Sequence, residues 1–324
     1  MIGIWGMEGS GKTTIAKAIY NRIYRTFIGK SFIEHIGLVS DRVRRGHTYL
    51  QETLLYDVVK SRLKVERVWN GRTVIENELS RKKLLIVLDD VNEFGQLENL
   101  CGNREWFGQG TAIIITTRDF HVLNRLKVNY VYKMNDMIEI ESLELFSWHA
   151  FREAKPRKEL NELARNIVAY CGGLPLALQV LGSLSRDTTM EKWESLLPTL
   201  KRTTYYEVEV RLKRNFDRLP DMEKDIFLDV CCFFIGKDRC YVTEILNGCG
   251  LRADIGITLL IERGLIKFEK NNKLEMHPFL RDMGREISRV SWRKHPEKRS
   301  RLWFQDDVIE VLNENAVRTF LVLF

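Results

Sequence analysis

The stretch GMEGSGKT, from Gly6 to Thr13, has the spacing G-x-x-x-x-G-K-[ST], with an apolar IGIW before it and a helical pattern after it. Gly6, Gly9 and Gly11 allow a tight loop whose backbone N–H groups turn toward one point, a geometry suited to phosphate oxygens. Ser10 belongs to the same loop, Lys12 is placed to reach terminal phosphates, and Thr13 offers a hydroxyl to Mg²⁺. A helix starting near Lys12 adds the positive end of its dipole.

Two further segments carry matching chemistry. In RKKLLIVLDDVNEF an apolar run ends in Asp89 and Asp90, carboxylates suited to holding Mg²⁺ (Asp89) and to orienting an attacking water (Asp90). Taken alone, the pair also suits a turn or a helix cap. In GTAIIITTRD another apolar run ends in Thr117 and Arg118, and the guanidinium is suited to neutralising a terminal phosphate. An isolated arginine in that place equally suits a solvated position.

These groups converge only if parallel strands bring their C-terminal ends together. Strands are expected at Ile2 to Trp5, Ser31 to Ile36, Lys83 to Leu88, Ala112 to Thr116 and Tyr130 to Met134, with helical patterns between them. That alternation predicts a largely parallel sheet covered by helices. After Met134 the pattern turns helical, in ESLELFSWHAF, KELNELARNIVAYC, PLALQVLGSLS and EKWESLLPTLK. LPDMEKDIFLDVCCFF, CYVTEILNGCG and RADIGITLLIERG then predict three more helices, followed by two short strands around Asn271 and Asn272 and a helix opening at Pro278. Three helices, a hairpin and a helix predict a winged helix. The expected fold class is α/β: a P-loop nucleoside-triphosphatase domain followed by a helical domain and a winged-helix domain. The expected spans are 1–134, 135–202 and 203–300, with 301–324 beginning a linker or repeat domain.

Composition is compatible with this plan. The 324 residues are 44% hydrophobic and 29% charged, with a formal charge of +7, enough for several cores and too little charge to identify a polyanion as partner. Cys231 and Cys232, inside an apolar run, are expected as buried thiols, and the cysteine spacing suggests no structural zinc site. No apolar run reaches the roughly 18 residues of a membrane span, so no membrane insertion and an intracellular location are expected. The apolar TFLVLF at the end is a strand candidate without a partner, and the chain is expected to be the middle section of something longer.

In order, GMEGSGKTTIAKAIYN, KKLLIVLDDVNEFGQLENL, FGQGTAIIITTRDFHVL, ESLELFSWHAF, CGGLPLALQVLGS, LPDMEKDIFLDVCCFF, MHPFLRDMGREI and EKRSRLWFQDDVIEVL resemble the central section of plant disease resistance proteins that begin with a Toll/interleukin-receptor-like domain. The resemblance implies an intracellular immune switch, closed with ADP and open and self-associating with ATP, which hydrolyses ATP slowly. It implies a cytoplasmic or nuclear protein with an upstream signalling domain, downstream leucine-rich repeats, and a pathogen effector or guarded host protein as partner. The NAD-cleaving activity of the upstream domain is not assigned to this sequence. By resemblance Lys12, Thr13 and Thr14 hold phosphate and Mg²⁺, Asp89 and Asp90 form the acidic pair, and Arg118 senses phosphate. Pro175 packs against the base, and His277 touches the ADP β-phosphate. From the residues alone, Pro175 and Pro278 are helix-opening prolines and His277 ends the wing. Where such proteins usually read Met-His-Asp, this chain reads Met-His-Pro, so Pro278 supplies neither a carboxylate nor an N–H. An ATP-dependent nucleic-acid-binding protein, using the basic SRVSWRKHPEKRSRLW, and an interaction module that only retains nucleotide are the competing readings.

Overall fold

The computed structural model describes residues 1–186, 189–191, 193–195, 206–268, 271–290 and 300–313. The expected strand TFLVLF, most of EKWESLLPTLK and the centre of the basic segment lie outside the described residues. Contacts divide the chain into two units, Met1–Asn135 and Asp136–Phe324.

The first unit is built on five strands: β1 (Ile2–Trp5), β2 (Gly29–Ile33), β3 (Leu84–Val91), β4 (Ala112–Thr117) and β5 (Tyr130–Lys133). They lie in the order β2-β3-β4-β1-β5, and every pairing is parallel. Six helices fill the crossovers: α1 (Lys12–Ile23), α2 (Ile36–Arg42), α3 (Gly46–Val59), α4 (Val68–Leu79), α5 (Phe94–Cys101) and α6 (Phe120–Leu126). Parallel strands covered on both faces must be apolar on both, which is why β3 reads as a continuous run. Leu84, Ile86 and Leu88 enter one core with residues of α3, α4 and α5, while Leu85 and Val87 enter the other with Ile4, Ile114 and Ala16 of α1. Burial of each such Leu or Ile contributes about 1.5–3 kcal/mol, and this double core holds Leu85–Leu88 of β3 in register with Ala112–Ile115 of β4.

Several boundaries differ from expectation. The expected strand from Ser31 to Ile36 is instead Gly29–Ile33, because His35 takes a left-handed φ of 56° and Ile36 starts α2. β3 runs three residues beyond Leu88, so Asp89 and Asp90 lie inside the strand, at a register shift between Leu88 and Val91. β4 gains Thr117 and β5 stops at Lys133.

The second unit opens with α7 (Glu139–Phe151), α8 (Asn161–Cys171) and α9 (Pro175–Leu184). They share a core of Phe146, Ile167, Leu174, Leu178 and Leu181, and Trp193 stacks on Phe151 with ring centroids 5.5 Å apart. Pro175 takes the first position of α9, where its missing N–H has no intrahelical partner to lose. After the helix Tyr206–Asp217 comes a helix–helix–helix–hairpin–helix sequence: Asp221–Asp229, Arg239–Gly248, Ala253–Glu262, β6 (Lys267–Phe268), β7 (Leu274–Glu275) and Pro278–Val290. The single helix expected through VCCFF ends at Asp229, and Val230–Phe234 follow as a π-helical turn. Asp238 caps the helix Arg239–Gly248 by accepting from the N–H groups of Cys240 (2.8 Å) and Tyr241 (3.2 Å). The tight turn around Asn271 and Asn272 is present, with Asn272 at φ 62°. Cys231 and Cys232 are buried free thiols.

Candidate functional site

Pairing brings Trp5 beside Thr117 and Thr117 beside Val91, so β1, β4 and β3 end side by side at one edge of the sheet. The phosphate loop leaves β1 there, Asp89 and Asp90 lie near the C-terminal end of β3, and Arg118 follows β4.

Within the loop Gly9 (φ 80°) and Gly11 (φ 90°) are left-handed, a conformation that costs glycine nothing. The turn delivers the chain into α1 with no side-chain cap and no acidic residue in the first turn. The N–H groups of Lys12, Thr13 and Thr14 therefore stand at an uncompensated positive helix end. Lys12 is buried, and its ammonium donates to the carbonyls of Gly6 (2.9 Å) and Met7 (2.7 Å). Ammonium has three donors, so one more is available to an incoming oxygen. Burial lowers the Lys12 pKa to about 8, against the pull of Glu8 in the opposite direction. Ser10 Oγ is buried and has no hydrogen-bond partner among the described residues. An unpartnered hydroxyl, a desolvated ammonium and an uncapped helix start together fit a phosphate group.

Thr13 Oγ1 donates to Asp89 Oδ1 at 2.8 Å, and Thr116 Oγ1 donates to the same oxygen at 2.6 Å. Thr116 Oγ1 also accepts from the Asp90 N–H at 2.9 Å, tying β4 to the irregular end of β3. The hydroxyl of Thr13 and the carboxylate of Asp89 are hard oxygen donors of the kind Mg²⁺ prefers. Asp90 sits at φ 56°, an uncommon conformation for a residue with a side chain. Its Oδ1 accepts from Arg118 Nη2 (2.8 Å) and Nε (3.2 Å), while Arg118 Nη1 pairs with Glu8 Oε2 at 2.7 Å. The backbone of Arg118 accepts from the Trp5 indole N–H at 3.1 Å, fixing its position against β1. Thus Gly6, Gly9, Ser10, Gly11, Lys12, Thr13, Thr14, Asp89, Asp90 and Arg118 share one edge of the first unit.

Glu8 and Thr116 were not singled out from the sequence. Glu8 was visible as the acidic residue within the loop motif, whereas Thr116 looked like one more residue of an apolar strand. Its role depends on the register between β3 and β4.

Pro175 and His277 belong to the second unit. His277 is buried, its Nε2 lies 3.0 Å from the Cys171 carbonyl, and its Nδ1 accepts from the Phe279 N–H at 3.3 Å. A nitrogen that accepts carries no proton, so the proton is on Nε2 and is donated to Cys171, which makes the ring neutral. Burial lowers its pKa to about 4, in agreement with that tautomer. A Cβ on Gly172 would come within 2.8 Å of His277 Nε2, and Gly172 has φ 56°, so the CGGLP turn both needs glycine and admits the ring. Tyr170 Oη donates to Asp282 at 2.8 Å and its ring packs edge-on against Phe279, which joins α8 to the helix Pro278–Val290.

A parallel sheet bearing this loop and acidic strand end is the fold of P-loop nucleoside triphosphatases, here followed by a helical region and a winged helix. Residues 1–155 match the family model of the NB-ARC domain, and residues 221–291 match that of the winged-helix domain of Roq1-like disease resistance proteins. Disease resistance protein RUN1 of Vitis rotundifolia is 43% identical over 305 residues, which cover 94% of this chain and 23% of that protein. TMV resistance protein N of Nicotiana glutinosa is 36% identical over 323 residues, covering 98% of this chain and 28% of that protein. Among solved structures, the Walker-type ATPase of Pyrococcus abyssi is alike in fold, with a TM-score of 0.57 at 14% identity over 88% of this chain and 91% of that one. The chain carries an NB-ARC domain and a winged-helix domain homologous to those of plant disease resistance proteins, and spans about a quarter of the length of these two relatives. That homology supports binding of ATP or ADP. Among the described residues no helix is long and apolar enough to cross a membrane.

Proposed function

We propose that this chain is the ADP/ATP-controlled conformational switch of a plant intracellular immune receptor, ADP-bound when resting and reset by slow ATP hydrolysis. The observation that carries this reading is the convergence of Lys12, Thr13, Asp89, Asp90 and Arg118 on one sheet edge, beside a buried hydroxyl that lacks a partner. Lys12, Ser10 and the N–H groups from Gly9 to Thr14 hold the phosphates. Thr13 and Asp89 are the residues that would hold Mg²⁺, which when bound supplies positive charge at the β- and γ-phosphate oxygens. Asp90 orients the attacking water and Arg118 responds to the terminal phosphate. Pro175 packs against the base. His277 touches the β-phosphate, for which its Nε2–H must leave the Cys171 carbonyl.

The segments 1–134, 135–202 and 203–300 serve as nucleotide-binding, helical and winged-helix domains, and 301–324 leads onward. A ligand changes such a protein only through its differential affinity for two arrangements, so exchange of ADP for ATP is the control step. The full protein, in this reading, is cytoplasmic or nuclear, has an upstream signalling domain and downstream leucine-rich repeats, self-associates on activation, and responds to an effector or a guarded host protein.

The nucleic-acid reading has less support. The helix Ala253–Glu262 precedes the wing and exposes Asp254, Ile255 and Thr258, with no lysine or arginine in its span. At the ends of the basic segment, Arg301, its side chain 8% exposed, pairs with Asp229 and Asp225, so that charge is directed inward, and Arg289 is paired with Asp307. Identification of the nucleotide that copurifies with the chain, followed by exchange and turnover assays, tests the proposal. Retained ADP with slow ATP turnover is expected; a folded chain that takes up neither nucleotide, or salt-sensitive DNA binding of high affinity, overturns it.

A further inference from the structure

Glu8 occupies a variable position of G-x-x-x-x-G-K-[ST], where phosphate binding asks for no charge. A carboxylate on a loop built to hold anions opposes that purpose, and its partner identifies its role. Glu8 Oε2 lies 2.7 Å from Arg118 Nη1, and the Arg118 side chain is only 10% exposed. On the same guanidinium, Asp90 Oδ1 accepts from Nη2 and Nε. Two carboxylates thus face one buried arginine, with Lys12 near enough for Glu8 to be the largest charge stabilising its ammonium. With Asp89 counted, this edge holds three carboxylates against two cations before any ligand arrives.

We propose that Glu8 is a specificity-determining residue that parks Arg118 and biases the site toward a nucleoside diphosphate over a triphosphate. This rests on the nucleotide-binding reading of the same edge. A terminal phosphate that draws the Arg118 guanidinium toward itself competes with the two carboxylates that hold it. Asp90 is anchored, since its N–H is bonded to Thr116 and it grips the guanidinium through both Nη2 and Nε. Glu8 reaches the guanidinium from the phosphate loop, at Nη1, so Glu8 is the group to be displaced. Once displaced, its charge remains on the loop that cradles the triphosphate, in a setting where water screens weakly. A diphosphate ends one phosphate short and leaves the Glu8–Arg118 pair intact. The penalty falls on the triphosphate selectively.

The test is a double-mutant cycle read by equilibrium binding of ADP and of a non-hydrolysable ATP analogue, both with Mg²⁺, to this chain and to Glu8→Gln, Arg118→Ala and the double variant. Glu8→Gln is expected to tighten the triphosphate about tenfold relative to the diphosphate, equivalent to about 1.4 kcal/mol. In the Arg118→Ala background the same change is expected to alter the ratio by less than about twofold. Glu8→Asp keeps the charge and is expected to keep the diphosphate preference. Equal changes for both nucleotides in Glu8→Gln would make Glu8 a brace of the loop and overturn the proposal, as would a full gain that survives without Arg118. Circular dichroism separates these outcomes from unfolding. Failure of the folded parent chain to bind either nucleotide removes the reading of the site itself, and the proposal with it.

Discussion

Lys12 and His277 are both buried bases, one in each unit, and they respond to burial differently. Lys12 stands among Glu8, Asp89, Asp90 and Arg118, and although burial lowers its pKa to about 8 it remains charged at neutral pH. His277, whose pKa burial takes down to about 4, is neutral, and each ring nitrogen is matched to one backbone group. A site that keeps its charges is prepared for a charged visitor, because interactions there strengthen as water is excluded. A site that neutralises its titratable group is built for shape, and the CGGLP turn with its glycine against the imidazole is of that kind. The first unit thus presents charged groups, while His277, as it stands here, bonds the end of α8 to the start of the helix Pro278–Val290.

The sharpest way to break this contrast is Lys12→Ala. Loss of a desolvated ammonium from the phosphates is expected to weaken ADP and ATP binding about a thousandfold, or about 4 kcal/mol, by calorimetric titration. The variant should also lose the rise in melting temperature that nucleotide gives the parent chain. In the parent, Lys12 binds fewer protons folded than unfolded between about pH 8 and its ordinary value of 10.5, so its contribution to nucleotide-free stability rises through that window.

Next in size is His277→Phe, which keeps a ring in the pocket and strands the Cys171 carbonyl and the Phe279 N–H, at an expected cost of about 2 kcal/mol in urea unfolding. The sign of the accompanying pH effect follows from the lowered pKa. Between pH 6.5 and about 4 the unfolded chain carries a proton that folded His277 does not, so the parent loses stability as pH falls through that range and His277→Phe loses less. Equal slopes for the two proteins would remove His277 as the neutral group.

Thr116→Val tests whether the acidic strand end depends on β4. It removes the donor to Asp89 and the acceptor for Asp90 N–H, with an expected loss of about 1 kcal/mol in unfolding and weaker Mg²⁺ dependence of nucleotide binding. Smallest is Pro278→Asp. Pro278 opens its helix well but adds no polar group beside His277. A carboxylate at that first helical position is expected to slow ADP release about threefold, roughly 0.65 kcal/mol; identical release rates in stopped-flow exchange would dismiss the idea.

Much of this was legible from residue types. GMEGSGKT, the double aspartate and the arginine after IIITT carry their chemistry in short-range spacing, and a glycine loop between strand and helix has few alternatives. The end of β3 was less legible. The apolar pattern stops at Leu88, but the strand continues because Thr116 and Thr117 hold its last residues across the sheet, Thr117 donating to the Val91 carbonyl at 2.7 Å. In the same way, the start of β2 is not legible in the local pattern, because Gly29 joins the sheet by pairing with Leu84, a partner far along the chain.

The sequence by itself determined the alternation of strand and helix, the position of the phosphate loop and the inventory of groups able to meet phosphate and a divalent cation, since each is a property of neighbours a few residues apart. Only the tertiary structure decided that Glu8 faces Arg118, that Thr116 serves Asp89 and Asp90, and that His277 is a neutral donor to Cys171. These are consequences of strand register and of helices meeting across many intervening residues. Protonation and pairing follow from desolvation and from which partner stands within about 3 Å, and both are set where the chain folds back on itself.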